Sequence, residues 1–186
     1  MEKHFKLTEE TIEWQGHTLH RIEATIDSCW AKAGELGGFV ESEDNLRGEA
    51  WVDDEAKVWG SAYLLDRALA RDNAQVFDKC TLMDMVRVEG NSRIYGRGTV
   101  VHGVANIYSG VVRNSNDYIV YQGFHEVGPL TAYRDTSNVP TVRFGEVWCA
   151  LPEFIRWAKQ RYENNPDRLK EVRLITELIS IRFDKE

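Results

Sequence analysis

The sequence predicts a mainly β fold wound as a solenoid, and three observations predict it. From Gly48 to Gly96 every sixth residue is Gly or Asp: Gly48, Asp54, Gly60, Asp66, Asp72, Asp78, Asp84, Gly90 and Gly96. Two places after each comes a mostly small residue (Ala50, Ala56, Ala62, Ala68, Ala74, Cys80, Val86, Ser92, Gly98), and two further an apolar one (Val52, Val58, Leu64, Ala70, Val76, Leu82, Val88, Ile94, Val100). Outward positions eighteen residues apart also match: Trp59, Phe77 and Tyr95 are aromatic, Asp53, Arg71 and Glu89 alternate in charge, and Leu65, Met83 and Val101 are apolar. A short fixed period means that each unit buries its apolar face against its neighbours alone.

Within a unit the small and the apolar residue are two apart, so both point to one side of an extended strand. Gly and Asp tolerate the turn dihedrals that then break it. Three such units per turn make a triangular coil, the left-handed parallel β-helix of hexapeptide type, with rungs about 4.8 Å apart. Three regions follow: a β cap over residues 1–44, the coil over 45–113, and a strand and two-helix module over 114–186.

In the cap, Ile12 to Leu19 reads as a hairpin around Gln15-Gly16, and Ile22, Ala24 and Ile26 continue an alternating strand. The glycines of Ala33-Gly34-Glu35-Leu36-Gly37-Gly38 let the backbone turn onto the first rung. A solenoid needs such caps because its end strands otherwise invite aggregation. After Val100 the next unit, Gly103, Ala105 and Ile107, arrives one residue late. An inserted residue bulges outward, and bulges gather near functional sites. His102 lies there, so it is the histidine with the strongest claim to chemistry; the competing account is a plain register adjustment before the coil ends.

Asn114-Ser115-Asn116 signals a loop. Tyr118–Tyr121, Leu130–Arg134 and Thr141–Phe144 are predicted strands, the last two joined around Thr136-Ser137-Asn138. The period then becomes about 3.6. A helix begins at Leu151-Pro152-Glu153, since Pro and Glu are favoured in a first turn. Asn164-Asn165-Pro166 breaks it, and a second helix runs from about Asp167 to Ile181 with Leu169, Val172, Thr176 and Ile179 on one stripe. The helices are expected to pack on the strands or on the outward columns of the coil.

The 186 residues carry 30 Asp and Glu against 23 Lys and Arg, a net charge of −7. That argues against a grip on extended nucleic acid. Arg67, Arg71, Arg87, Arg93 and Arg97 nevertheless make the later rungs locally basic, which permits a small anionic ligand. No apolar run is long enough for a membrane span, MEKHFKLTEE has no signal-peptide core, and three cysteines make no disulfide framework. A cytosolic location is expected.

Acyltransferases built on hexapeptide coils place a general-base histidine at a cleft between coils. A base near neutral pKa suits that role, and His102 is the one histidine in or beside this coil. Carbonic anhydrases on such a coil need three histidines on adjacent rungs. Here His4, His17 and His20 precede the coil and His125 follows it, so no metal is expected. Calcium-binding coils repeat Gly-Gly-x-Gly-x-Asp at nine residues; one Asp per corner at six reads instead as turn stabilisation.

Three stretches carry a family resemblance: Leu19 to Ala24 followed by Lys32 to Leu46, the units from Ala50 to Gly96, and Leu130 to Asp135 with Leu151 to Phe154. With these the chain resembles a family of phage- and prophage-borne β-helix proteins, related to enterobacterial proteins often labelled acyltransferases. It differs in placing Asp where many relatives have Gly at corners. The resemblance implies a left-handed coil and a phage context, hence the cytosol of a host cell, and supplies no catalytic residue. The function expected is a non-catalytic, homo-oligomeric binding protein that engages a host partner or sequesters a small anionic, nucleotide-like ligand. Arg87, Arg93 or Arg97 would hold phosphates, because the planar guanidinium matches their geometry. Trp59, Phe77 or Tyr95 would stack the base. No cofactor is implied. The alternative is an acyltransferase using acyl-coenzyme A with His102 as base.

Overall fold

The computed structural model describes residues 3–124 and 127–183. Phe5–Trp14 (β1) and His17–Ala24 (β2) form an antiparallel hairpin. Gln15 and Gly16 turn it, both at positive φ. The hairpin is longer than the sequence pattern suggests, and Ile26, beyond its end, is exposed. β2 pairs antiparallel with Leu36–Val40 (β3), and β3 pairs parallel with the coil. Gly38 is required there: a Cβ would lie 2.6 Å from the carbonyl oxygen of Ala56.

The coil strands are short: Trp51–Val52 (β4), Lys57–Val58 (β5), Tyr63–Leu64 (β6), Leu69–Ala70 (β7), Gln75–Val76 (β8) and Thr81–Leu82 (β9). Arg87–Glu89 (β10), Arg93–Ile94 (β11), Val100–Val101 (β12), Asn106–Tyr108 (β13) and Gly110–Val112 (β14) complete them. They stack as three parallel faces, β3-β5-β8-β11-β14, β4-β7-β10-β13 and β6-β9-β12. Lys57 pairs with Gln75, and Gln75 with Arg93, the eighteen-residue interval of the sequence. The fold is therefore the expected parallel β-helix, with Ala50, Ala56, Ala62, Ala68 and Ala74 buried inside it.

The corner aspartates do two things. Asp54, Asp66, Asp72, Asp78 and Asp84 all take positive φ, between 51° and 64°. Each carboxylate also accepts the backbone N–H of the corner one turn on. Asp72 bonds Gly90 at 2.7 Å and Asp84 bonds Gly103 at 2.7 Å, while Asp54, Asp66 and Asp78 reach Asp72, Asp84 and Gly96. A glycine meets the first requirement only.

The register slip lies earlier than the sequence placed it. Thr81 pairs with Val100 and Arg87 with Asn106, nineteen residues on. Thr99 and Val101 are the buried inward pair, not Gly98 and Val100. The extra residue therefore sits in the Gly96-Arg97-Gly98 corner. The Thr99 hydroxyl decides the register, lying 2.8 Å from the Tyr95 carbonyl and 2.7 Å from that of Arg113. His102 consequently follows Met83 in its outward column and is not on a bulge.

Neighbouring rungs exchange backbone bonds in both directions, as when the Trp51 N–H donates to Ala68 and the Ser109 N–H donates back to Glu89. Each end turn therefore presents carbonyls and N–H groups that must find partners in the caps. The first turn receives donors: His4 Nε2 on Ala50 and Asn45 Nδ2 on Ala62. The last turn receives hydroxyls, and that of Tyr133 also donates to the Tyr108 carbonyl at 2.9 Å. Ser115 takes the N–H of Val100, Tyr118 that of His102, Thr131 that of Asn106 and Tyr133 that of Tyr108.

Tyr118–Tyr121 (β15), Leu130–Asp135 (β16), Pro140–Phe144 (β17) and Val147–Ala150 (β18) extend the first face as antiparallel strands, giving one sheet of 11 strands. β18 is additional to the predicted strands. Leu151–Arg161 (α1) and Pro166–Phe183 (α2) pack on this extension, with Phe154, Ala158, Val172, Ile175 and Ile179 against Leu130, Ala132, Val142 and Phe144. Of the two packings the sequence allowed, the helices take the strands. Among the described residues no helix is long and apolar enough to cross a membrane.

Candidate functional site

The aromatic column is present as a stack. Trp59 and Phe77 have ring centroids 4.6 Å apart at 6°, and Phe77 and Tyr95 4.9 Å apart at 7°. These are the rung spacing, so the rings stack along the coil axis. Only part of the stack is open. Trp59 is 3% exposed, packed with Leu19 and Phe39 and covered by Ile12 and Trp14 of the hairpin. It is thus a core residue, a correction to its expected role in stacking a ligand.

The hairpin tip is fixed by polar contacts. His17 Nδ1 lies 2.8 Å from Glu41 Oε1, and Glu41 Oε2 accepts the Gly60 N–H at 2.7 Å. The bond from His17 is the main reason the Glu41 carboxyl is held below its usual range. Lys57 lies under the Trp14 ring at 4.8 Å, and burial lowers its pKa.

Beyond Trp59 the same face is open, with Phe77 and Tyr95 half-buried and Arg93 exposed. The Arg93 guanidinium carbon is 5.6 Å from both ring centroids, within the range of cation–π attraction. Arg97 follows, exposed, at the slipped corner. The next residue of the Tyr95 column is Arg113, placed one rung up by the Tyr95 N–H bond to Val112. Its side chain is half exposed and 3.6 Å from Asp117. Arg113 was legible as the eighteen-residue successor of Tyr95. Past it the face is bounded by Arg134, which pairs with Val111 and bonds the Phe183 carbonyl at the end of α2.

Arg87 does not join this group. It lies on the β4-β7-β10-β13 face, its guanidinium 5.2 Å over the Trp30 ring. The expected six-residue site thus resolves into Phe77, Tyr95 and Arg93 on one face, with Arg97 at the corner that follows, Trp59 buried and Arg87 elsewhere.

His102 is exposed and lines a cleft of about 420 Å³ with Gly103, Ser115, Asn116, Tyr118 and Arg182 among its walls. Its ring stands edge-on to Tyr118 at 6.3 Å. Burial pushes the Tyr118 phenol up, keeping it protonated. No carboxylate among the described residues hydrogen-bonds the imidazole, so nothing orients it as a triad acid would. Arg182, at the far end of the chain, had no sequence signal. No group of three metal-ligating side chains occurs among the described residues; His125 lies outside them.

No family model matches the chain, and no curated protein is similar to it.

Proposed function

We propose that the chain is a non-catalytic binding protein that sequesters a small anionic, nucleotide-like ligand on the open part of the aromatic face. The observation that carries this reading is the Arg93 guanidinium beside the half-buried Phe77–Tyr95 stack. An aromatic surface stacks any base, contributing about 1–3 kcal/mol. Arg93, Arg97 and Arg113 supply guanidinium groups to phosphate oxygens at the same place. The reading includes a phage origin and action in a host cytosol, where the ligand is a host nucleotide; a host protein on the same face is the other form it takes. It also includes a homo-oligomer. Leu174, Leu178 and Ile181 form an exposed stripe on α2 at helical spacing that offers the seam between copies. Light scattering tests this: Leu178→Glu is expected to lower the mass, and an unchanged mass removes that seam.

A thermal-shift panel of linear and cyclic nucleotides, coenzyme A and acetyl-coenzyme A tests the ligand. At about 100 times its dissociation constant a ligand stabilises the fold by roughly 2.7 kcal/mol. A nucleotide shift that disappears in Arg93→Ala is expected; no shift with any nucleotide sinks the reading. The second reading, an acyltransferase using acyl-coenzyme A with His102 as base, is favoured by the position of His102 in a cleft. It requires acyl-coenzyme A turnover that vanishes in His102→Ala.

A further inference from the structure

We infer that the cleft between the last coil turn and the end of α2 binds a small oxyanion, a carboxylate or phosphoryl group, independently of the aromatic face. The cleft holds about 420 Å³ and is lined by His102, Ser115, Asn116, Gln122 and Arg182 over a floor of Tyr118, Ile119 and Val120. That size and mixture, an apolar floor with a few convergent polar groups, suits a small ligand. Among the described residues no carboxylate side chain lines it, although acidic residues outnumber basic ones 30 to 23 in the chain.

The free polar groups are mainly donors. Ser115 and Tyr118 lend their hydroxyls to the N–H groups of Val100 and His102. Those bonds fix the cleft wall without filling the cleft. Arg182 makes no ion pair among the described residues. Its contacts are two 3.4 Å approaches by Nη1 to the backbone and side-chain oxygens of Asn116. Nε and Nη2 remain, and that edge of a guanidinium fits two oxygens of a carboxylate or phosphate at once. The His102 imidazole stands on the wall formed by the coil, and the Gln122 amide lies 3.9 Å from where a Gly103 Cβ would sit. Among the described residues a cation would find only amide, hydroxyl and backbone oxygens here, whereas an oxyanion finds a guanidinium, an imidazole and two amides.

The test is a nitrogen-15 NMR titration of the full chain with inorganic phosphate, and separately with acetate, at constant ionic strength against a chloride control. Saturable shifts at the His102, Gly103 and Asn116 amides are expected with at least one of the two. In Arg182→Gln the affinity is expected to fall at least fivefold, while Arg87→Gln, which removes a guanidinium outside both sites, titrates as wild type. A response to phosphate alone or to acetate alone assigns the group. Shifts that chloride reproduces, or an Arg182→Gln curve equal to wild type, overturn the inference. Arg182→Lys keeps the charge without the fork; an intermediate affinity is expected, and it carries the test should the glutamine variant misfold.

Discussion

An aspartate at a coil corner holds a backbone conformation that disfavours a side chain, and it earns its place with its carboxylate. Asp72 has φ 60°, donates its own N–H to the Asp54 carboxylate at 3.3 Å and accepts that of Gly90 at 2.7 Å. Asp and Asn tolerate this region because their short polar side chains bond locally. Asp72→Ala loses both the tolerance and the bond, so a cost of about 1–3 kcal/mol is expected in urea melts. Asp72→Gly keeps the dihedral and loses only the bond, and is expected to cost less. Equal losses in the two variants would contradict this account. The site is less regular at this scale. Arg93 and Tyr95 meet because the hexad puts them two residues apart beside one inward position. The burial of Trp59 depends on a hairpin tip more than forty residues away, which no local pattern encodes.

The coil as an element shows where the pattern is legible and where it stops. Corners, inward positions and the eighteen-residue pairing all follow from the hexad, because each rung sees only its neighbours. The slip did not follow, since Gly98-Thr99-Val100-Val101 offers an apolar residue to either register. A side-chain hydroxyl chose between them. The inward column that ends in Thr99 contains Cys80, one rung below. Burial pushes its thiol from about 9 up to about 12. The folded chain therefore retains that proton over a range in which the unfolded chain releases it. The associated stability is complete below about pH 9 and is lost as pH rises towards 12, by up to ~1.4 kcal/mol per pH unit. Tyr133, similarly raised from 10 to about 12, adds its own loss only above pH 10. Cys80→Ala suits a column that has Ala62 below it. Its urea-melt stability is expected to fall less than that of wild type between pH 9 and 10. Parallel curves over that interval would contradict the assignment.

For the whole molecule, the two ends are as instructive as the coil. A parallel coil leaves unpaired backbone groups on its first and last turns, and the caps answer with side chains: His4 and Asn45 at the first, and Ser115, Tyr118, Thr131 and Tyr133 at the last. The hairpin and the strand module then continue one face into a single sheet. The same caps shape the candidate sites, for the hairpin covers Trp59 and leaves Phe77 and Tyr95 open, and α2 closes the cleft at His102. The cap regions were legible as elements, but their cover of the coil is tertiary. The central claim is that Arg93, Phe77 and Tyr95 form a ligand face, and calorimetric titration of nucleotides into wild type, Arg93→Ala and Tyr95→Leu tests it most directly. The account predicts saturable binding by wild type, weakened at least tenfold in each variant with the fold retained. No binding, or binding that survives both substitutions unchanged, would contradict it.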